Sequence, residues 1–234
     1  MTAEDRANAH AHAHAAPAPD GGRYFPPSGP IQTLHCDNAL LVVAKPAGLL
    51  SVPGKAVGGA DCLIARLGRI DPEVRLVHRL DRDTSGVMVF ARSKQAQRHL
   101  GRQFERRYVQ KTYIALIRGC PAEPSGRVDL PLIADWPNRP RQKVCPVEGR
   151  PARTAWRVLS ATPTSARVEL RPETGRSHQL RVHMAALGHP ILGDPLYGDA
   201  EGADAVRLML HATELSLRHP EGGAPVSFTS APPF

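Results

Sequence analysis

Residues 78–86 read HRLDRDTSG and run directly into the apolar stretch VMVFA. One carboxylate, Asp81, stands there between Arg79 and Arg82. Cationic neighbours favour the ionised form of a carboxylate, and an ionised carboxylate in a cleft can act as a nucleophile or a general base. The same residues also fit a surface ion pair, which perturbs a carboxylate without making it reactive. A retaining glycosidase would need a second carboxylate about 5 Å away. The surrounding motifs offer no evident partner acid.

Other chemistries find little support. The chain has no G-x-G-x-x-G, no P-loop and no Ser nucleophile elbow, so no cofactor is expected. His178 and His183 are five residues apart, on different faces of a helix, with no carboxylate placed to help. His10, His12 and His14 alternate in an Ala/His/Pro-rich stretch without a Cys or acidic partner, so no metal is expected. Four cysteines, at 36, 62, 120 and 145, lack C-x-x-C spacing and read as reduced thiols. No run approaches the roughly 18 apolar residues of a membrane helix. The first residues lack the basic flank and apolar core of a signal peptide. The expectation is a cytoplasmic protein that does not contact the membrane.

Charge narrows the partner. The chain carries 30 Lys and Arg against 22 Asp and Glu, a formal +8; residues 1–30 hold −1 of this, leaving +9 for the remainder. An excess of this sign favours a polyanion, because each cation that neutralises a phosphate releases condensed counterions. It concentrates in Arg92, Lys94, Arg98, Arg102, Arg106, Arg107 and Lys111, with Glu105 the single acid among them. This is either a phosphate-binding surface or a solvated helix face. Aromatics make up only 5% of the chain, too few for a stacking platform along a long single strand.

These residues must be held by a scaffold, and its elements are legible. Residues 1–30 lack any apolar period and read as a disordered leader, followed by one domain over 31–234. Short apolar runs at 39–44, 87–91, 113–117, 154–159, 166–170, 208–217 and 226–228 read as strands. Thr154, Trp156 and Val158, then Ala166, Val168 and Leu170, alternate with polar residues, as in a sheet with one wet face. Helices are predicted after Asp61, after Ser93 over 94–107, and after Ser177, the last ending at Gly188. Strands outnumber helices and do not alternate with them. The fold class is therefore mixed α/β (α+β), a largely antiparallel sheet flanked by helices.

HRLDRDTSG resembles the signature loop of the RluA family of RNA pseudouridine synthases. Three further segments match that family in order: LLVVAKPAGLLSVPG at 40–54, QKTYIALIRG at 110–119 and RPETGRSHQLRVHMAALGHPILGDPLYG at 171–198. The resemblance implies a pseudouridine synthase catalytic fold without an S4 module, and a reaction that needs no cofactor. It implies that Asp81 is the catalytic carboxylate. Tyr113 would pack on the target base as a candidate to remove its C5 proton, and Arg181 would pair with Asp81. Arg79 would help displace the nucleotide from its stack. Lys45, Arg98, Arg102, Arg106, Arg176 and His178 are expected to contact RNA, although Ala44 stands where the family commonly has Asn before Lys-Pro-x-Gly. The segment 128–156 is most similar to members that act on both 23S rRNA and tRNA anticodon stem-loops. A monomer is expected. The alternatives are a non-catalytic RNA-binding protein on the same fold and a synthase restricted to one RNA class.

Overall fold

The computed structural model describes residues 24–54, 59–198 and 205–234. In chain order they form β1 (Gln32–Cys36), β2 (Leu40–Lys45), α1 (Leu63–Gly68), β3 (Arg75–Leu76), β4 (Ser85–Ala91), α2 (Lys94–Glu105), β5 (Gln110–Arg118), β6 (Ser125–Asp129), β7 (Leu132–Ala134), β8 (Gln142–Val144), β9 (Arg153–Ala161), β10 (Ser165–Pro172), α3 (Gln179–Ala186), β11 (Leu210–Arg218) and β12 (Pro225–Thr229). One large sheet runs β1-β2-β4-β11-β5-β10-β9-β6, with β12 beside β11 and β3 beside β4; β7 and β8 form a separate hairpin. The β4–β11 pairing is parallel and the other pairings are antiparallel. Most of residues 1–30, with His10, His12 and His14, lie outside the described residues. Tyr24 is buried, and its hydroxyl accepts from Leu50 N at 2.8 Å.

Alternation along the strands sorts the core into layers. Leu40, Val42, Val87 and Val89 pack with Ala96 and Leu100 of α2. Leu41, Val43, Met88 and Phe90 face the opposite way, onto Leu63 and Leu67 of α1. A strand buried on both faces reads as a continuous apolar run, which is what β2 and β4 show. Farther along the sheet, Leu180 and Met184 of α3 cover Ala115, Ile117, Val168 and Leu170. Each such aliphatic side chain contributes roughly 1.5–3 kcal/mol on burial. The expected alternation on β9 and β10 is present: Thr154, Trp156, Ala166, Val168 and Leu170 are buried, while Arg157 and Arg171 pair with Glu169 on the wet face.

The strand β11 joins the two halves of the sheet, and its register brings the functional segments together. Ala212 lies opposite Gly86 on one side and opposite Tyr113 on the other. Gly86 closes the HRLDRDTSG segment, so one cross-strand row ties that loop to Tyr113. The row demands glycine. Gly86 has φ +119, and a Cβ there would lie 2.2 Å from the Ala212 carbonyl oxygen.

The helix ends correct two expectations. Asp61 does not cap α1: its N-cap is Cys62 without a side-chain cap, and the N–H groups of Leu63 and Ile64 donate to the Leu50 and Ser51 carbonyls. With those donors satisfied, Asp61 instead takes a two-pronged contact from Arg66, at 2.7 and 2.8 Å. Nor does Ser177 open α3; the N-cap is His178, in the left-handed region at φ 54. Ser93 caps α2 as expected, accepting from Ala96 N at 3.0 Å. Gly188 is the residue past α3, with its own N–H and that of His189 returning to the carbonyls of Ala185 and Met184.

Replacing Gly86 with Ala combines a left-handed φ with a backbone collision. We expect a loss of at least about 3 kcal/mol in urea-denaturation free energy; a loss below about 1 kcal/mol would show that β4 and β11 can part without harm.

Acid lability follows from two imidazoles whose charged forms are disfavoured, His211 in the core and His78 at the inner wall of the cleft. His78 Nε2 accepts from Val89 N at 3.1 Å, and burial, then the Lys111 charge, depress its pKa from 6.5 to about 3. His211 donates from Nε2 to the Ser230 carbonyl and accepts at Nδ1 from Ser85 Oγ, and burial holds it at about 4. Above pH 6.5 both are neutral whether folded or unfolded. Below it the unfolded chain takes up protons that the folded chain refuses, so stability falls progressively between pH 6.5 and about 3. Urea midpoints measured across this window in the wild type and in His211→Gln should converge as the pH drops, because the variant lacks the His211 penalty.

Candidate active site

Asp81 sits where the loop before β4 is pinned on both sides. Ser51 Oγ donates to the Leu80 carbonyl at 2.6 Å and accepts from Leu80 N at 3.2 Å. The Lys45 ammonium donates to the carbonyls of Arg82 (2.8 Å), Leu49 (2.7 Å) and Pro46 (2.9 Å). Its three protons are thereby matched by three acceptors. Burial draws its pKa down from 10.5 to about 7, while Asp83 and Asp81 oppose this. Lys45 is 1% exposed, so the expectation that it contacts RNA is corrected: it is a structural clamp. Thus the backbone is held at positions 80 and 82, while the Asp81 side chain remains 30% exposed.

The carboxylate faces a cleft of about 980 Å³. Arg181 Nη1 lies 3.9 Å from Asp81 Oδ2, and His178 Nε2 lies 4.0 Å from Oδ1. The pairing of Arg181 with Asp81 is therefore a long contact. The principal partner of Arg181 is Asp194, at 2.7 Å from Nε and 2.6 Å from Nη2. Asp194 in turn accepts from the backbone N–H groups of Leu196 and Tyr197. The flanking arginines do not hold Asp81 either. Arg82 turns onto Asp83 at 2.8 Å, and Arg79 stands exposed at the cleft wall, because consecutive loop residues project in different directions.

Tyr197 closes the back of this cluster. Its hydroxyl accepts from Gln142 N at 2.7 Å, which turns its proton toward His178 Nδ1 at 2.8 Å. His178 therefore presents Nε2–H toward Asp81, and burial pulls its pKa below the ordinary value against the opposing pull of Asp81. The Tyr197 ring lies 5.2 Å from the Arg181 guanidinium, and burial pushes its own pKa up to about 12. Tyr113 lines the same cleft as a neutral phenol, raised by burial first and by the Asp81 charge second.

A second polar network fixes α3 to β9. Gln179 Nε2 donates to the Arg153 carbonyl and to Thr154 Oγ1, while Gln179 Oε1 accepts from Thr174 Oγ1 and Arg176 N. His183 accepts at Nδ1 from Thr154 Oγ1 and donates from Nε2 to the Leu130 carbonyl. His183 thus faces the interior while His178 faces the cleft.

Of the expected site residues, Asp81, Tyr113, Arg181, Arg79, Arg176 and His178 line the one cleft. Arg98, Arg102 and Arg106 are exposed on α2 but do not line it. The edge of the cleft near the end of α2 is supplied by Arg107 and Lys111 instead. Sequence reasoning assigned no role to Ser51, Asp194 or Tyr197. The usable signal for Asp194 was the GDPLYG turn itself, an acid within reach of a helix whose arginine faces inward.

The Arg181–Asp194 pair yields a test. Asp194→Asn leaves a fully buried guanidinium without its main counter-charge, which is expected to cost about 3 kcal/mol of unfolding free energy. A change below about 1 kcal/mol would mean that Asp81 alone suffices to compensate Arg181.

Comparison with known proteins shows the family. Residues 39–186 match the family described as RNA pseudouridylate synthase. The chain is 50% identical over 214 residues to a dual-specificity RNA pseudouridine synthase RluA of Escherichia coli (strain K12), covering 90% of this chain and 98% of that protein. It is 52% identical over 197 residues to the protein of the same name from Yersinia pestis, covering 83% and 96%. Among solved structures, human RNA pseudouridylate synthase domain containing 1 superposes with a TM-score of 0.76 at 30% identity, covering 90% of this chain and 87% of that one.

Proposed function

The chain belongs to the RNA pseudouridylate synthase family, and from that premise we propose that Asp81 is the carboxylate with which it isomerises uridine in stem-loops of 23S rRNA and of tRNA anticodon arms. The enzyme is an RNA pseudouridine synthase, an isomerase. The observation that carries the assignment of Asp81 is its setting: a part-exposed carboxylate on a doubly pinned backbone, with Arg181 and His178 at 3.9 and 4.0 Å.

The reaction breaks the bond between N1 of uracil and C1′ of ribose, turns the base and rejoins it through C5. The C5 proton is lost and N1 gains one, so composition is unchanged. Asp81 serves either by attack on C1′ or by removal of the C2′ proton; both need the ionised carboxylate. Arg181 Nη1 and His178 Nε2 stand 3.9 and 4.0 Å from its two oxygens, the cation and the ring nitrogen that face the carboxylate across the cleft. Tyr113, held as a neutral phenol, supplies a ring face for the base rather than a phenolate.

The target uridine must leave its stack before Asp81 can reach the sugar. Unstacking costs a few kcal/mol, least in loops and bulges, which supports stem-loop substrates. Arg79, Arg176 and His178 are the RNA contacts beside the flipped nucleotide. Dual specificity rests on relatives that carry it in their names and are about half identical over nearly their whole length. The catalytic domain is residues 31–234 together with Tyr24, whose buried side chain belongs to its core, acting as a monomer in the cytoplasm, where these RNAs reside, with residues 1–23 a dispensable leader.

The test is carbodiimide-stop mapping of pseudouridine in total RNA from a strain lacking its own synthases, incubated with the wild type or Asp81→Asn. New stops in a 23S loop and in tRNA anticodon loops, with at least a ~10³-fold lower rate for the variant, are expected. Stops in one RNA class alone would overturn the dual range. Equal stops with the variant would remove Asp81 from the chemistry.

A further inference from the structure

Six cationic side chains line the cleft: Arg79, Arg107, Lys111, Arg171, Arg176 and Arg181. Arg181 is committed to Asp194, Arg171 to Glu169, and Arg176 Nε to the Pro151 carbonyl. Among the described residues, Lys111, Arg107 and Arg79 have no hydrogen-bond or ion-pair acceptor for their side chains. Two of these three, Lys111 and Arg107, are neighbours at one end of the cleft.

Lys111 is two residues before Tyr113 on β5, so the two side chains project from the same face, one pleat repeat of roughly 6.7 Å apart. Its ammonium lies against the backbone of Gly175, where a Cβ would be 3.6 Å away. The nearby carboxylates are engaged elsewhere: Glu173 with Arg127, and Glu214 with the Ser216 and Ser227 hydroxyls. Glu105, on the last turn of α2, pairs with neither cation.

The backbone at Arg107 is the second observation. The Arg107 and Tyr108 N–H groups return to the Phe104 and Gln103 carbonyls, the pattern of a helix end whose first residue past the cap is left-handed. Glycine is the favoured residue there, yet Arg107 holds φ 60. A side chain there carries a steric cost that glycine would avoid. Burial, then the Arg107 charge, pull the Lys111 pKa down, which is the expected effect of two cations held together without an anion.

We propose that Lys111 and Arg107 form a phosphate subsite that grips one backbone phosphate of the RNA, within one nucleotide of the uridine held at Tyr113 and Asp81. It rests on the synthase reading above and adds which phosphate-binding side chains fix the register of the substrate. The helix face carrying Arg98, Arg102 and Arg106 is not part of it. Lys111 delivers a point charge at depth, while Arg107 closes the subsite from the rim with a planar fork suited to two phosphate oxygens.

The experiment is a double-mutant cycle on a minimal stem-loop RNA. Single methylphosphonates, which remove one phosphate charge each, are placed in turn through the loop and paired with wild type, Lys111→Gln and Arg107→Gly. At one position, wild type should lose about tenfold in affinity, and both variants should be nearly insensitive there while binding native RNA about tenfold more weakly. Each variant should also lower the slope of log affinity against log salt by about one. Arg107→Gly should meanwhile raise Tm by ~2 °C as the left-handed strain is relieved. That readout separates lost contact from lost folding, since a merely structural Arg107 could not bind worse while melting higher. Penalties that simply add at every loop phosphate, for both variants, would overturn the subsite. Normal pseudouridine formation by the wild type in the same reactions keeps that outcome distinct from failure of the synthase reading.

Discussion

A guanidinium sealed inside the protein is the constraint on which the site depends. Arg181 is 2% exposed and cannot shed its charge, so a carboxylate must be folded against it. Asp194 meets Nε and Nη2, and the turn after α3 closes around Asp194 through two backbone N–H groups. That leaves Nη1 as the remaining edge of the fork, facing Asp81. Such a pair is a poor source of stability, because desolvation offsets its attraction. What it supplies is direction: the guanidinium cannot turn without breaking two short bonds.

The second constraint is where a carboxylate may be placed relative to it. Asp81 comes from the loop before β4, Tyr113 from β5 and Arg181 from α3, and no two of these segments pair directly with each other. They meet because β11 lies between β4 and β5, with Ala212 in register with both Gly86 and Tyr113. The network of Thr154, Gln179 and His183 then locks α3 onto β9. Every polar atom in that chain has a partner, which is the condition for a buried polar network to rigidify.

Charge is divided between inside and rim. Interior cations are answered by the protein itself: Arg181 by Asp194, Lys45 by three carbonyls. Among the described residues, rim cations such as Arg79 and Arg107 are left without acceptors, as a surface that meets a polyanion requires. The backbone around Asp81 is immobilised by Lys45 and Ser51 while the carboxylate stays accessible. A preorganised group on a rigid support is the arrangement that catalysis by positioning demands.

Local pattern alone determined much of this. Period-two alternation placed β9 and β10 with the correct wet face, continuous apolar runs marked β2 and β4, and Ser93 and Gly188 marked helix ends, because these signals depend only on near neighbours in the chain. The motif around Asp81 and the matched segments pointed to the family and to the residues that meet in the cleft. Three assignments needed the tertiary structure. Lys45 reads as one more cation until its ammonium is seen enclosed by carbonyls; Asp61 reads as a cap until the helix N–H groups are seen to be satisfied by Leu50 and Ser51. Asp194, thirteen residues beyond Arg181, has no helical or strand periodicity linking it to its partner. Its role is decided by burial and by the direction of the Arg181 side chain, and those exist only once α3 has packed on the sheet.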